Sequence, residues 1–560
     1  MRTELKTIFK NGMTYIGASI FVAYILIAAL CDGGFDGNAA ASAIQTLALA
    51  ATVVGVVRFV SLNDGLFDKR AVTLLLSIGL AIYPLGQLLG AVTAAAGSGA
   101  EKALLAVSVV ALAASVAVLA AMVLKCLVID FFQPLALDTV TVIILIAGAA
   151  VSDIAALVAV INGAYGAAIG YCVGFLATAG MGVVWAKNQP MGAFSGVKGQ
   201  PINLFRNGEG GYSTFRIPSL CALDRRVLNE KWGYEFDRDV LVAFAEGRKN
   251  SSHDTGVVDM LGKISADGGD TWTPLAVMFS YGEEVGKYGN PTMVLDRNSG
   301  LLAVAMMSAS KRNNFDYDTY FLEGKLLPDL TFEWGEARNI SLPKEEGAKG
   351  GSDGVRKHTL MVGPGKGVQI SQGEHTGRIV IPASNGGNSY AVYSDDGGAS
   401  WKRGEPAGSG NECEAAELSG GELVMVVRDG AGCTMPHPEQ YQKLSYSSDG
   451  GQTWHDKECK TPLRTPICMA SLAAKGDELA MTYPDSFHTR VDLTLGLSGD
   501  CGRTWRTRLL YGGAAGYSCI TADSDGNLYV LAEVGKVNYN ETLMFMVCED
   551  TLGAQRCEDR

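Results

Sequence analysis

The pattern Ser-x-Asp-x-Gly-x-Thr-Trp occurs four times in this chain, at Ser265–Trp272, Ser394–Trp401 (with Ser400 in place of Thr), Ser447–Trp454 and Ser498–Trp505. Each copy reads as a turn that locks itself. An aspartate can accept hydrogen bonds from the N–H groups of its own turn, and a glycine supplies positive φ where the chain reverses. Asp267, Asp396, Asp449 and Asp500 fit the first role, Gly269, Gly398, Gly451 and Gly502 the second, and each tryptophan packs back under its turn. Four of the seven tryptophans serve the pattern, too many for chance. The last three copies begin about 50 residues apart, the length of one propeller blade. From about residue 200 the surrounding chain consists of short β-rich runs broken by Gly, Asn, Asp and Ser. These features predict an all-β propeller. The interval from Trp272 to Ser394 has room for two further blades with degenerate turns, Gly324–Trp334 being one such remnant, which makes six blades in all.

Residues 1–187 have a different texture. Apolar runs at 14–31, 39–61, 71–97, 103–129, 139–161 and 163–186 each approach the roughly 20 residues needed to span a bilayer. The first lacks the cleavage site of a removable signal peptide. The expectation is therefore an α-helical transmembrane bundle of about six spans in residues 1–187, with the lipid bilayer as its partner. A linker at 188–199, a propeller at 200–545 and a tail at 546–560 follow. Asp153 falls inside the fifth run, where a carboxylate suggests function by default. A bundle-interior or boundary position fits it better, and anchoring is the simplest role for the bundle. Arg2, Lys6, Lys10, Arg58, Lys69 and Arg70 place the N-terminus in the cytoplasm by the positive-inside rule. Six spans would then leave the propeller inside, and five or seven would place it outside.

The nine Lys/Arg of residues 1–187 balance nine Asp/Glu, so the net charge of −12 belongs to residues 188–560. An acidic domain with few basic clusters argues against nucleic acid as a partner, and an anionic substrate would need local arginines to hold it. Nine of the twelve cysteines lie in this part, without paired Cys-x-x-Cys spacing. That reads as reduced thiols rather than a disulfide framework or a zinc site. The six histidines show no ligand spacing, so no metal or cofactor is expected.

Upstream of the repeats stands Ser213-Thr-Phe-Arg-Ile-Pro-Ser-Leu220. Arg216 lies between Phe215 and Ile217 as a buried strand would place it, and Pro218 is expected to end the run for want of an N–H. An inward guanidinium there can grip a planar anion in two parallel hydrogen bonds, or serve a structural ion pair.

Phe-Arg-Ile-Pro followed by these repeats resembles the bacterial sialidases (neuraminidases), and the resemblance runs through residues 200–545. It includes Ala245-Glu-Gly-Arg248, Gly363-Pro-Gly-Lys-Gly-Val368, Asn411-Glu-Cys-Glu-Ala-Ala-Glu-Leu418 and Gly516-Tyr-Ser518, in order. Residues 1–187 lie outside it. The resemblance implies a six-bladed propeller that cleaves terminal sialic acids from glycans. Arg216, Arg428 and Arg490 would hold the substrate carboxylate, with Glu533 orienting the first of them. A carboxylate nucleophile would be repelled by that same group, and sialidases use a tyrosine instead. Tyr517 matches it, and Glu412 matches its activating base, with Glu414 and Glu417 as competitors of which alternation puts only Glu414 on the same strand face. Asp254 fits the acid/base aspartate, with Asp259 as the alternative, and Arg248 the residue near the sugar 4-hydroxyl. A trans-sialidase or intramolecular trans-sialidase would share all these residues, whereas a sialic-acid-binding protein without catalysis would keep the arginines but has no need of Tyr517, Glu412 and Asp254 together; a further reading makes the propeller a sensor for the membrane bundle. Action on glycans favours an outward-facing propeller on a multi-pass membrane protein, against the count of positive charges.

Overall fold

The computed structural model describes residues 191–553 except 251, 253–255, 281–285, 311–316, 343–359, 429–439, 488–489 and 537. The apolar runs of residues 1–187, with Asp153, and the candidate acid Asp254 lie outside the described residues. Among the described residues no helix is long and apolar enough to cross a membrane.

Strand registers divide the described chain into six antiparallel units. The first holds Thr214–Leu223, Val240–Arg248, Val258–Ser265 and Ala276–Phe279. The second holds Gly286–Asp296, Leu301–Ser310, Tyr317–Leu326 and Phe332–Trp334. The third builds its first strand from short pieces within 361–369, then adds Ile379–Ser384, Asn388–Ser394 and Lys402–Arg403. Cys413–Glu417, Leu423–Val427, Gln440–Ser447 and His455–Thr465 form the fourth. Ser471–Lys475, Glu478–Pro484, Val491–Ser498 and the first half of Arg506–Ala522 form the fifth. The second half of that strand opens the sixth, with Asn527–Gly535 and Thr542–Thr551, and Val197–Arg206 completes it. First strands pack on one another in turn and the sixth on the first, which closes a ring.

Two sequence expectations shift here. Between Trp272 and Ser394 lies one complete unit and most of the next, whose lock is Ser394–Trp401 itself. The sixth unit is instead made by joining the two ends of the propeller chain, which spacing between repeats could not reveal. Strand Val197–Arg206 accordingly begins within the stretch read as a linker, and Thr542–Thr551 runs into the stretch read as a tail.

The hydrophobic cores between the sheets each straddle two neighbouring units, as stacked sheets require. Val242, Phe244 and Met260 of the first meet Met293, Val304 and Met306 of the second. Leu493 and Leu495 of the fifth meet Ile520 and Val530 of the sixth. The repeated turns belong to these joints. In each, the serine hydroxyl donates to the aspartate and accepts from the second glycine, while the aspartate accepts from the N–H of the Thr or Ser before the tryptophan. That glycine has φ of 95°, 82°, 87° and 87° at Gly269, Gly398, Gly451 and Gly502. A Cβ on it would come within 2.7 Å or less of Phe545, Phe321, Ala391 and Leu444, each on the preceding unit. Trp272 and Trp401 then pack edge-on against Phe545 and Phe321, with ring centres 5.0 Å apart in both pairs. The turn thus locks a hairpin and also seats it on its neighbour.

Inside the ring, Lys366 is salt-bridged to the fully buried Glu414 at 2.6 Å. Its ammonium also donates to the carbonyls of Leu472 at 2.9 Å and Ile520 at 2.5 Å, so its three protons reach the fourth, fifth and sixth units. Ser219 of the first unit donates to the carbonyl of Gly365 at 2.5 Å. Burial alone would lower the lysine pKa, but the adjacent Glu414 carboxylate more than reverses this and holds the group charged.

Candidate active site

Strand Thr214–Leu223 carries Arg216, yet it does not stop at Pro218. Ile217 takes φ of 56°, and the register slips between Arg216 and Ser219. A bulge tolerates a proline because the ladder is already interrupted. The bulge also frees the N–H of Ile217, which donates to Glu533 Oε1 at 3.0 Å. The same carboxylate accepts from Arg216 Nε at 2.8 Å and Nη2 at 3.1 Å, a two-pronged ion pair with Glu533 fully buried. Its Oε2 accepts in addition from the N–H of Tyr517 at 3.1 Å, so one glutamate positions both the arginine and the tyrosine.

Tyr517, Glu412 and Arg428 form a closed triangle. The Tyr517 hydroxyl donates to Glu412 Oε2 at 2.6 Å and accepts from Arg428 Nη1 at 2.5 Å, while the same Nη1 donates to Glu412 Oε2. Burial pushes the phenol pKa well above its ordinary value; Glu412 adds to the rise, while Arg428 and Arg490 oppose it. The resting phenol is therefore protonated, with a carboxylate on its proton and a guanidinium on its oxygen. Arg490 stands beside them, its Cζ 5.3 Å from the centre of the Tyr517 ring.

The competing glutamates have other work. Glu414 is consumed by Lys366, Ser471 and the N–H of Leu472. Glu417 caps the N–H groups of Ser371 and Gln372. Arg248 is buried, with Nε and Nη2 on Glu246 Oε2 at 3.2 and 2.7 Å and Nη1 on the Ser252 carbonyl. Asp259 accepts from Tyr212 at 2.6 Å and pairs with Lys249 at 3.0 Å, in register with Gly247.

One neighbour of the arginines escaped the sequence reading. Tyr539, on the short 3₁₀ turn Tyr539–Glu541, has its ring 5.3 Å from Arg216 Cζ and 5.1 Å from Arg490 Cζ. Its hydroxyl accepts from Arg490 Nη1 at 3.3 Å. No motif surrounds it. The indirect signal is Gly516, where a Cβ would lie 2.5 Å from the Tyr539 ring and 2.4 Å from Glu533.

The guanidiniums of Arg216, Arg428 and Arg490 thus gather 5.5, 5.8 and 5.3 Å from the Tyr517 ring centre, with Glu412 on its hydroxyl and Glu533 on its N–H. Residues 239–530 match the BNR repeat-like domain, and the chain belongs to that family. It is similar to a sialidase of Micromonospora viridifaciens, 26% identical over 390 residues that cover 62% of this chain and 56% of the relative. A sialidase of Bacteroides fragilis is 26% identical over 370 residues, covering 59% of this chain and 62% of the relative. The matched part thus spans about six-tenths of each relative's length. Among solved structures, the Hadza microbial sialidase Hz136 superposes with a TM-score of 0.51 at 23% identity, over 63% of this chain and 68% of that one, which supports the shared fold.

Proposed function

We propose that the chain is a retaining exo-α-sialidase that removes terminal sialic acids from glycans, held to a membrane by residues 1–187 with the propeller facing outward. The observation that carries the catalytic reading is the Tyr517–Glu412–Arg428 triangle. The arginines receive the substrate carboxylate. Tyr517 then attacks the anomeric carbon while Glu412 takes the phenolic proton, and the Arg428 donor stabilises the charge that develops on the phenolic oxygen. Asp254 protonates the departing glycosidic oxygen, a role that rests on the resemblance of its sequence surroundings. In the second half-reaction Asp254 takes a proton from water, whose oxygen attacks the anomeric carbon as the bond to Tyr517 breaks and Glu412 returns the phenolic proton, which releases the sugar with its configuration retained. The sialidase names of the relatives and the apolar runs of residues 1–187 support the two parts of the reading.

The test uses the full-length chain and a fluorogenic aryl α-sialoside. The wild type should release the fluorophore, and Tyr517→Phe should lose at least about 10³-fold in turnover. A folded wild type that binds sialic acid and releases nothing would replace the enzyme with a binding protein.

A further inference from the structure

The three arginines around Tyr517 are held in different ways. Arg216 is paired with Glu533, and Arg428 with Glu412. Arg490 has no carboxylate partner among the described residues; its contacts are the Tyr539 hydroxyl, the carbonyl of Ile467 at 3.4 Å, and the faces of Tyr517 and Tyr539. Of the three guanidiniums around Tyr517, Arg490 is thus the one that no described carboxylate holds.

An arginine that must stay uncompensated poses a positioning problem. A carboxylate would hold it firmly, as Glu533 holds Arg216, but would also remove the charge the ligand needs. An aromatic face and a hydroxyl oxygen orient a guanidinium without neutralising it. Tyr539 supplies both, and it touches Arg216 as well, so its ring spans the two guanidiniums.

We propose that Tyr539 is the positioning residue of the carboxylate clamp, holding Arg490 oriented and charged. This rests on the sialidase reading only for the identity of the anion. The supports of the ring fit the role. Glu541 accepts from the N–H groups of Lys536 and Asn538, which ties the turn together from behind. At its root, the carbonyl of Gly535 accepts from the Tyr511 hydroxyl at 2.6 Å, and that hydroxyl accepts in turn from the N–H of Gly192 at 3.0 Å.

The experiment measures binding by calorimetry, with the full-length chain, of the 2,3-dehydro analogue of sialic acid and of its methyl ester. The ester removes the carboxylate charge and adds one methyl group. Turnover of the aryl sialoside is measured in parallel. Wild type should prefer the acid strongly. Tyr539→Leu should weaken the acid about tenfold or more and leave the ester within about twofold. KM should rise by a similar factor, with kcat within about threefold. Tyr539→Phe keeps the ring and should retain most of the preference. Equal weakening of acid and ester, an unchanged preference in Tyr539→Leu, or a preference lost entirely in Tyr539→Phe each overturns the inference. Should Tyr539→Leu fail to fold, the Tyr539→Phe outcome still decides whether ring or hydroxyl matters. A wild type that turns over sialoside while Tyr539→Leu keeps its preference sinks this inference alone. A wild type that binds neither probe sinks it together with the sialidase reading.

Discussion

Glu412 and Glu414 are two residues apart, and each faces a buried cation, but the centres they serve are built on opposite terms. Around Glu414 every valence is used: Lys366 spends its three protons on one carboxylate and two carbonyls, and the carboxylate takes Ser471 and Leu472 besides. Around Glu412 one oxygen is shared by a phenol and a guanidinium, and a third arginine nearby has no counter-charge among the described residues. A closed network holds strands together and has nothing left to offer a ligand. An open one, with charge to spare and a proton poised between two groups, is what chemistry requires. Charge and burial alone would not separate the two glutamates; the tally of satisfied partners does.

The comparison breaks most visibly at Lys366. Lys366→Met leaves Glu414 buried without its cation and should cost about 3–5 kcal/mol of stability. Lys366→Met combined with Glu414→Leu should recover much of that loss. Chemical denaturation reads both, and a single variant as stable as wild type would mean that the inner centre is not a structural lock. At the outer centre the expected effect is smaller and of another kind. Glu412→Gln should lower turnover about 10²-fold, roughly 2.7 kcal/mol in the barrier, while the melting temperature stays near wild type. Because it removes a negative charge, it should not weaken binding of the acidic analogue; weaker binding would show that Glu412 orients the arginines instead. The smallest effect lies at the rim. The hydroxyl and N–H of Thr504 lead in holding the Asp500 carboxyl down to about 2. A depressed folded pKa means that the lock contributes fully above the ordinary aspartate range and is lost as pH falls through the folded value. Asp500→Asn should therefore melt on the order of 2 °C below wild type at pH 5, with the gap closing towards pH 2.

What could be read in the sequence was local. The four locks declare themselves because aspartate, glycine and the N–H groups they serve lie within a few residues of each other. The resemblance to sialidases named Arg216, Arg428, Glu412, Tyr517 and Glu533, which the structure brings together, and Arg490 beside them. Tyr539 was not legible, and Lys366 was legible as part of the Gly363–Val368 motif but not in its role, since the meaning of both comes from ring closure: Lys366 reaches a carbonyl 154 residues away. Pro218 misled for the opposite reason. A proline is a sound strand terminator in isolation, and only the bulge at Ile217, whose N–H is claimed by Glu533, lets the strand continue.

The closing strand also has a history that a finished ring conceals. Val197–Arg206 pairs with Thr542–Thr551, and Thr542 fastens itself to the carbonyl of Phe205 at 2.9 Å. During synthesis the first of these strands leaves the ribosome long before its partner exists. It must wait as a solitary edge while five units assemble, an exposure that invites pairing with a neighbouring chain. Glu533 and Tyr517 belong to the last unit made, so they can be fixed opposite Arg216 only after the other five have left the ribosome. The order of translation therefore makes the pocket the last part of the propeller to acquire its shape.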